Sequence, residues 1–181
     1  MELKSHIFLI GFMGCGKTTI GKQLAEKFNV QFFDTDTMIR EKTNQSIPEI
    51  FERWGETKFR ELEQQAIQEV VLLPPALISL GGGAILSQTN RSLIFKSGVS
   101  VYLKWRSKTL FNRLANSDER PLLQNVPRSK LLKQIITMMN ERSKYYEQAH
   151  IVIPGDKYED ANELIETIIH EISTYKIEIT C

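Results

Sequence analysis

The chain is poor in cysteine, with Cys15 and Cys181 as its only two in 181 residues, so no disulfide framework can be drawn. It is also poor in net charge. Its 23 basic and 22 acidic side chains leave a formal +1, which supplies no general affinity for nucleic acid or for a membrane surface. A long hydrophobic run is missing too: the longest apolar stretch, residues 70–80, is broken by Pro74 and Pro75, well short of a membrane span. The apolar run at 7–10 is brief and leads straight into a glycine-rich segment, unlike a secretory leader. These absences lead us to expect a protein of the reducing cytoplasm, with no nucleic acid or membrane partner. Repeats, low-complexity tracts and linkers are absent as well, and a length of 181 residues is that of one ordinary domain, 1–181. The 41% hydrophobic and 25% charged composition is that of a globular protein.

What the chain does have is Gly11-Phe12-Met13-Gly14-Cys15-Gly16-Lys17-Thr18, a glycine followed by four residues and Gly-Lys-Thr. This spacing marks a phosphate-cradling loop. Glycines at 11, 14 and 16 free the backbone to turn successive N–H groups toward one anion. Lys17 can reach the outer phosphates, and the Thr18 hydroxyl can ligate a magnesium ion. The setting agrees: residues 6–10 read as a buried strand, and Ile20, Leu24 and Phe28 recur at helical spacing after the loop. Binding of a nucleoside triphosphate follows. Cys15, inside the loop beside Lys17, reads either as an activated thiol that nucleotide would shield or as an inert packed one.

Further strand-like runs lie at 30–33, 76–80, 99–105 and 151–154. Ser46 reads as a helix cap with Pro48 in the first turn, and Gly55 interrupts the pattern. Helical periodicity covers 56–73, 87–96, 108–116 (with Ser107 as its cap) and 160–175. A further long helix should carry Leu131, Leu132, Ile135, Ile136 and Met139 on its inner side. Strands alternating with helices predict an α/β fold whose parallel sheet is covered on both faces. Ligands of such sheets bind beyond the carboxyl ends of the strands. That rule places the Gly11 loop, Asp34 with Asp36, and Gly81-Gly82-Gly83 along one rim.

Asp34 and Asp36 stand two apart at a strand end, where extended backbone would aim both carboxylates the same way. One could serve a metal ion and the other a phosphoryl acceptor; a simple turn is the competing account. Three consecutive glycines exceed what a turn needs and favour close approach to a ligand. Arg60, with Glu63 three positions on, and Arg142 have the planar fork of a carboxylate reader, but the residues alone favour a structural reading of each. Arg120 lies in the polar, proline-bearing segment 117–128, which has the character of a mobile lid. A lid arginine could offset charge on a transferring phosphoryl group.

Taken in order, the phosphate loop through Thr19, Phe33-Asp34-Thr35-Asp36, Gly55 through Glu63, the triple glycine, Arg120-Pro121-Leu122-Leu123, and Glu141-Arg142 with Tyr146 resemble the shikimate kinase family. The likeness runs over nearly the whole chain. It implies a three-layer P-loop kinase fold of nucleoside-monophosphate-kinase type, with a five-stranded parallel sheet and a lid at about 117–128. It implies transfer of the ATP γ-phosphoryl group to the 3-hydroxyl of shikimate, in the route to chorismate and aromatic amino acids. By this resemblance Asp36, Arg60, Gly82 and Arg142 contact shikimate, and Lys17, Asp36 and Arg120 are catalytic. Gly14, Cys15, Gly16, Lys17, Thr18, Thr19, Arg113 and Arg120 bind ATP, with Arg113 stacking on adenine and the loop near Asp156 and Lys157 closing over the base. The resemblance also implies Mg2+ held by Thr18, with Asp34 acting through water. A monomer is expected. The alternatives are a gluconate-type small-molecule kinase, which should lack the Arg60/Arg142 pair, and a non-catalytic nucleotide-binding regulatory domain.

Overall fold

In the computed structural model, residues 3–115, 123, 126–158 and 160–175 are described. Five strands form one all-parallel sheet in the order β2-β3-β1-β4-β5: β1 (His6–Ile10), β2 (Phe32–Asp34), β3 (Leu77–Ser79), β4 (Gly98–Lys104) and β5 (Ile151–Pro154). Among the described residues seven α-helices lie between and after them: α1 (Lys17–Phe28), α2 (Thr35–Thr43), α3 (Ile47–Val70), α4 (Gln88–Ser97), α5 (Ser107–Leu114), α6 (Arg128–Tyr146) and α7 (Ala161–Thr174).

Strand pleating splits the core in two. Ile7 and Leu9 face one side with Leu24, Phe28, Ile135 and Ile165, whereas Phe8 and Ile10 face the other with Ile67, Val70, Ile94 and Tyr146. Every residue of β1 is buried, as the central strand of a doubly covered sheet must be. After β1 the chain passes to the β2 side, and after β3 it crosses to the β4 side, although β1 and β3 are neighbours. A crevice at such a switch point is where open α/β sheets take their ligands. A third, smaller core of Ile39, Ile50, Phe59, Leu62 and Ala66 packs α2 against α3 and forms one wall of that crevice.

Several expectations need correction. The second strand starts at Phe32, not at residue 30, because the Val30 N–H still bonds the Ala25 carbonyl as α1 unwinds. Asp34 and Asp36 do not share an extended strand: Asp34 caps α2, accepting from the Asp36 and Thr37 N–H groups, and Asp36 lies in that helix's first turn. The helix expected to reach residue 73 ends at Val70, leaving Leu72 exposed. Gly55 does interrupt it, with φ 76° and ψ 175°, so the Ser46–Glu49 capping box starts a first half and residue 56 starts a second. Ser107 is not the cap of α5. Arg106 holds the N-cap position with no side-chain cap bond, and Asp156, from the turn after β5, braces it by accepting from the Arg106 N–H and the Thr109 hydroxyl. On α6 the inner stripe is Leu131, Ile135, Met138, Arg142 and Tyr146, with Leu132 and Ile136 exposed.

Candidate functional site

The phosphate loop connects β1 to α1. Gly14 and Gly16 have φ of 77° and 91°, conformations a side chain resists. Gly16 caps α1 without a side-chain hydrogen bond, and no acid stands in the first helical turn, so the free N–H groups are left for an anion. Lys17 curls back and donates to the carbonyls of Gly11 at 2.9 Å and Phe12 at 3.1 Å. The Thr18 hydroxyl donates to Asp34 Oδ2 at 2.7 Å. Gly14, Gly16, Lys17, Thr18, Thr19, Asp34 and Asp36 line one cavity of about 780 Å3, which Arg113 borders.

Cys15 is fully buried and packs into the main core. Its Sγ accepts from Lys17 Nζ at 3.6 Å, yet the side chain is closed to solvent, which favours the packed alternative over the reactive one. On the outer side, a groove lined by Gly14, Thr19, Trp105, Arg113 and Tyr158 continues from the phosphate cavity. The Arg113 guanidinium lies 3.8 Å above the Trp105 ring and donates to the Gly14 carbonyl. Asp156 and Lys157 do not line this groove; Asp156 instead accepts from the Arg106 N–H and the Thr109 hydroxyl at the start of α5.

Beyond Asp36 the phosphate cavity opens into a recess of about 430 Å3 that shares Met13, Asp36, Gly81 and Gly82 with it. Arg60 and Arg142 reach this recess from α3 and α6. Arg142 is only 5% exposed, donates to the Gly82 carbonyl at 3.3 Å and stands 5.5 Å above the Phe12 ring. The Tyr146 hydroxyl donates to the same carbonyl, fixing the triple-glycine segment against α6. A Cβ on Gly81 would meet Glu63 Oε1 at 2.7 Å and Asp36 Oδ1 at 2.8 Å, so bare backbone is required there.

Arg60 Nη1 donates to Glu63 Oε2 at 2.9 Å. Read as one half of a surface pair, Glu63 is in fact 1% exposed. Burial pushes its carboxyl up to about 7, against the opposing pull of the Arg60 guanidinium. Sequence periodicity could have placed Glu63, because it follows Phe59 and Leu62 on the buried stripe of α3. Met13, Phe51 and Trp105 also went unremarked, and no local pattern marks them as lining residues. Arg120 and most of the segment 117–128 lie outside the described residues. The remaining sequence-chosen residues gather at the two connected cavities.

A glycine-rich loop at the end of the first strand, a lysine and hydroxyl at the following helix, and a parallel sheet with its switch point above them define a P-loop kinase. A family model described as Shikimate kinase matches residues 13–173. The shikimate kinase of Ruegeria pomeroyi is 37% identical over 175 residues, covering 96% of this chain and 88% of its own. That of Sulfurihydrogenibium is 39% identical over 167 residues, 92% of this chain and 97% of its own. A solved shikimate kinase from Acinetobacter baumannii in complex with shikimate superposes with a TM-score of 0.88 at 32% identity, covering 96% of each chain. This chain belongs to the shikimate kinase family.

Proposed function

We propose that the protein transfers the γ-phosphoryl group of ATP to the 3-hydroxyl of shikimate, releasing shikimate 3-phosphate and ADP on the route to chorismate and aromatic amino acids. One observation carries this reading: two arginines, Arg60 and Arg142, reach one recess that opens onto the phosphate cavity at Asp36. A carboxylate gripped at the arginine end would present the ring hydroxyls toward the phosphates. Asp36 borders both spaces, so it orients the acceptor hydroxyl and takes its proton. Gly82 approaches the acceptor through bare backbone. Its carbonyl is already held by Arg142 and Tyr146.

The nucleotide phosphates lie on the backbone of 14–19, with Lys17 leaving the loop carbonyls to follow the transferring group. Adenine stacks on Arg113, which Trp105 supports from the other side. The Thr18 hydroxyl and Asp34 carboxylate form a hard, all-oxygen donor pair 2.7 Å apart. Among the described residues no group of three acidic, histidine or cysteine side chains could cage a metal alone. Both facts fit Mg2+, which keeps water and phosphate ligands. Thr18 would hold the ion, with Asp34 reached through water. When bound, it draws charge from the phosphate oxygens. Arg120 would add a second cation there.

The Arg60/Arg142 pair speaks against a gluconate-type kinase, and retention of Lys17 and Asp36 speaks against a non-catalytic domain. We also take the protein to act as a cytoplasmic monomer. Release of ADP on adding shikimate, compared with gluconate and with no acceptor, tests the reading. No shikimate-dependent ADP would overturn it.

A further inference from the structure

Arg60, which lines the recess, is held from outside it by a carboxylate that the reading above does not use. Glu56 Oε1 accepts from both Nε and Nη2 of Arg60, at 3.2 and 2.8 Å. Glu63 holds Nη1 from the opposite side. A guanidinium offers two edges for a two-bond grip on a carboxylate. The Nη1/Nη2 edge is backed against Gly83, where a Cβ would lie 2.4 and 2.6 Å from those nitrogens. The Nε/Nη2 edge is the one Glu56 occupies. An incoming carboxylate that takes Arg60 with two bonds must therefore take the place of Glu56.

The two acids differ in how firmly they hold. Glu63 is 1% exposed and permanent, whereas the Glu56 side chain is 55% exposed and its pairing is a rim contact of the weakly held kind. Glu56 also has somewhere to go. Gly55 breaks α3, so Glu56 opens the second half-helix, where free N–H groups and the helix dipole favour a negative side chain.

We propose that Glu56 is an internal stand-in for the substrate carboxylate: it neutralises Arg60 while the recess is empty and yields that edge only to an acceptor bearing a carboxylate. The proposal rests on the reading of Arg60 as the carboxylate receiver. Its consequence is selectivity. A neutral analogue has no charge with which to displace Glu56. The acid itself binds with an affinity lowered by the fraction of molecules in which Glu56 is in place.

Calorimetric titration of shikimate and of its methyl ester into the wild type, Glu56→Gln, Arg60→Ala and the double variant tests this. Glu56→Gln should tighten shikimate by about 2–5-fold, the range for an exposed ion pair, and leave the ester unchanged. Arg60→Ala should weaken shikimate, and adding Glu56→Gln to it should change nothing more. Where Arg60→Ala fails to fold, Arg60→Lys keeps a cation beside Glu63 while removing the planar fork. Weaker or unchanged shikimate binding in Glu56→Gln, with Arg60 variants still impaired, would show Glu56 to be a strut and end the proposal. Unimpaired Arg60 variants would instead remove the reading of Arg60, and this proposal with it.

Discussion

The two halves of the site are built from different materials. At the phosphate end the ligand-facing groups are mostly backbone, and they come from one continuous stretch, residues 11–19. Its one buried cation, Lys17, is satisfied by the loop's own carbonyls. At the acceptor end the working groups are long side chains from α2, α3 and α6, and the buried charges answer one another: Glu63 lies against Arg60, with Arg142 and Asp36 near it. A backbone site tolerates being empty because its polar groups are those of an ordinary helix start. A side-chain site stores electrostatic tension, which a charged ligand can relieve. This contrast predicts that changes at one end leave the other end's ligand nearly untouched.

The largest effect should come at the border. Asp36→Asn should lower turnover on shikimate by ~10²–10⁴-fold, the range for losing a general base, while MgATP binding stays normal. Near-normal turnover would remove Asp36 from the chemistry. Next, an acceptor with its carboxyl reduced to an alcohol should lose about 2–5 kcal/mol in kcat/KM, because the buried Arg142 gains no anionic partner and Glu56 keeps its edge of Arg60, with the KM for ATP unchanged. Equal rates on both acceptors would make the arginines structural.

The third prediction concerns Glu63, which Arg60, Arg142 and Asp36 face. Burial raises its carboxyl from 4.5 to about 7, so between those values the folded protein keeps a proton that the unfolded chain has released. Stability should therefore fall as pH rises through that window, by up to about 3 kcal/mol from this group, and level off above it. Glu63→Gln should flatten that slope in chemical denaturation at several pH values, whereas an unchanged slope would assign it to other groups. At the phosphate end Gly14→Ala forces a side chain into φ 77° against Leu114, 3.0 Å away. It should weaken ATP by about 1–2 kcal/mol and spare shikimate binding. The smallest effect is a null one: Cys15, buried in the core, should label negligibly with alkylating agents whether or not MgATP is present. Labelling blocked by MgATP would restore an exposed thiol.

The same contrast governs what could be read from sequence. The phosphate loop was legible because its chemistry is local: spacing alone places glycine, lysine and hydroxyl. The acceptor recess was not, because nothing in residues 60 or 142 reports that their side chains reach one recess at Gly82. There the family resemblance chose the residues, and the fold brings them together. Helix α2 escaped notice because it buries only Thr35 and Ile39, too little for a visible stripe. The cap of α5 was misassigned because the helix starts one residue early, with Ser107 inside it and Arg106 at the N-cap, braced by Asp156 fifty positions away. The strand alternation announced a parallel sheet, but strand order depends on which crossovers go left and right, and no residue pattern records that.

Strand order carries a consequence for how the molecule comes into being. The first strand made is the central one, with Ile7 paired to Leu77 on one flank and His6 to Gly98 on the other. A growing chain that has completed the phosphate loop at Thr18 holds a buried-type strand with no neighbour until β3, from Leu77 on, is synthesised. Its second flank stays open until β4 follows. Closing such long loops before any pairing is gained makes folding slow and leaves an apolar, unpaired edge exposed meanwhile. The segment that names the protein's chemistry is thus also the one most dependent on the rest of the chain, and it should be the part most prone to capture by chaperones while the protein is still being made.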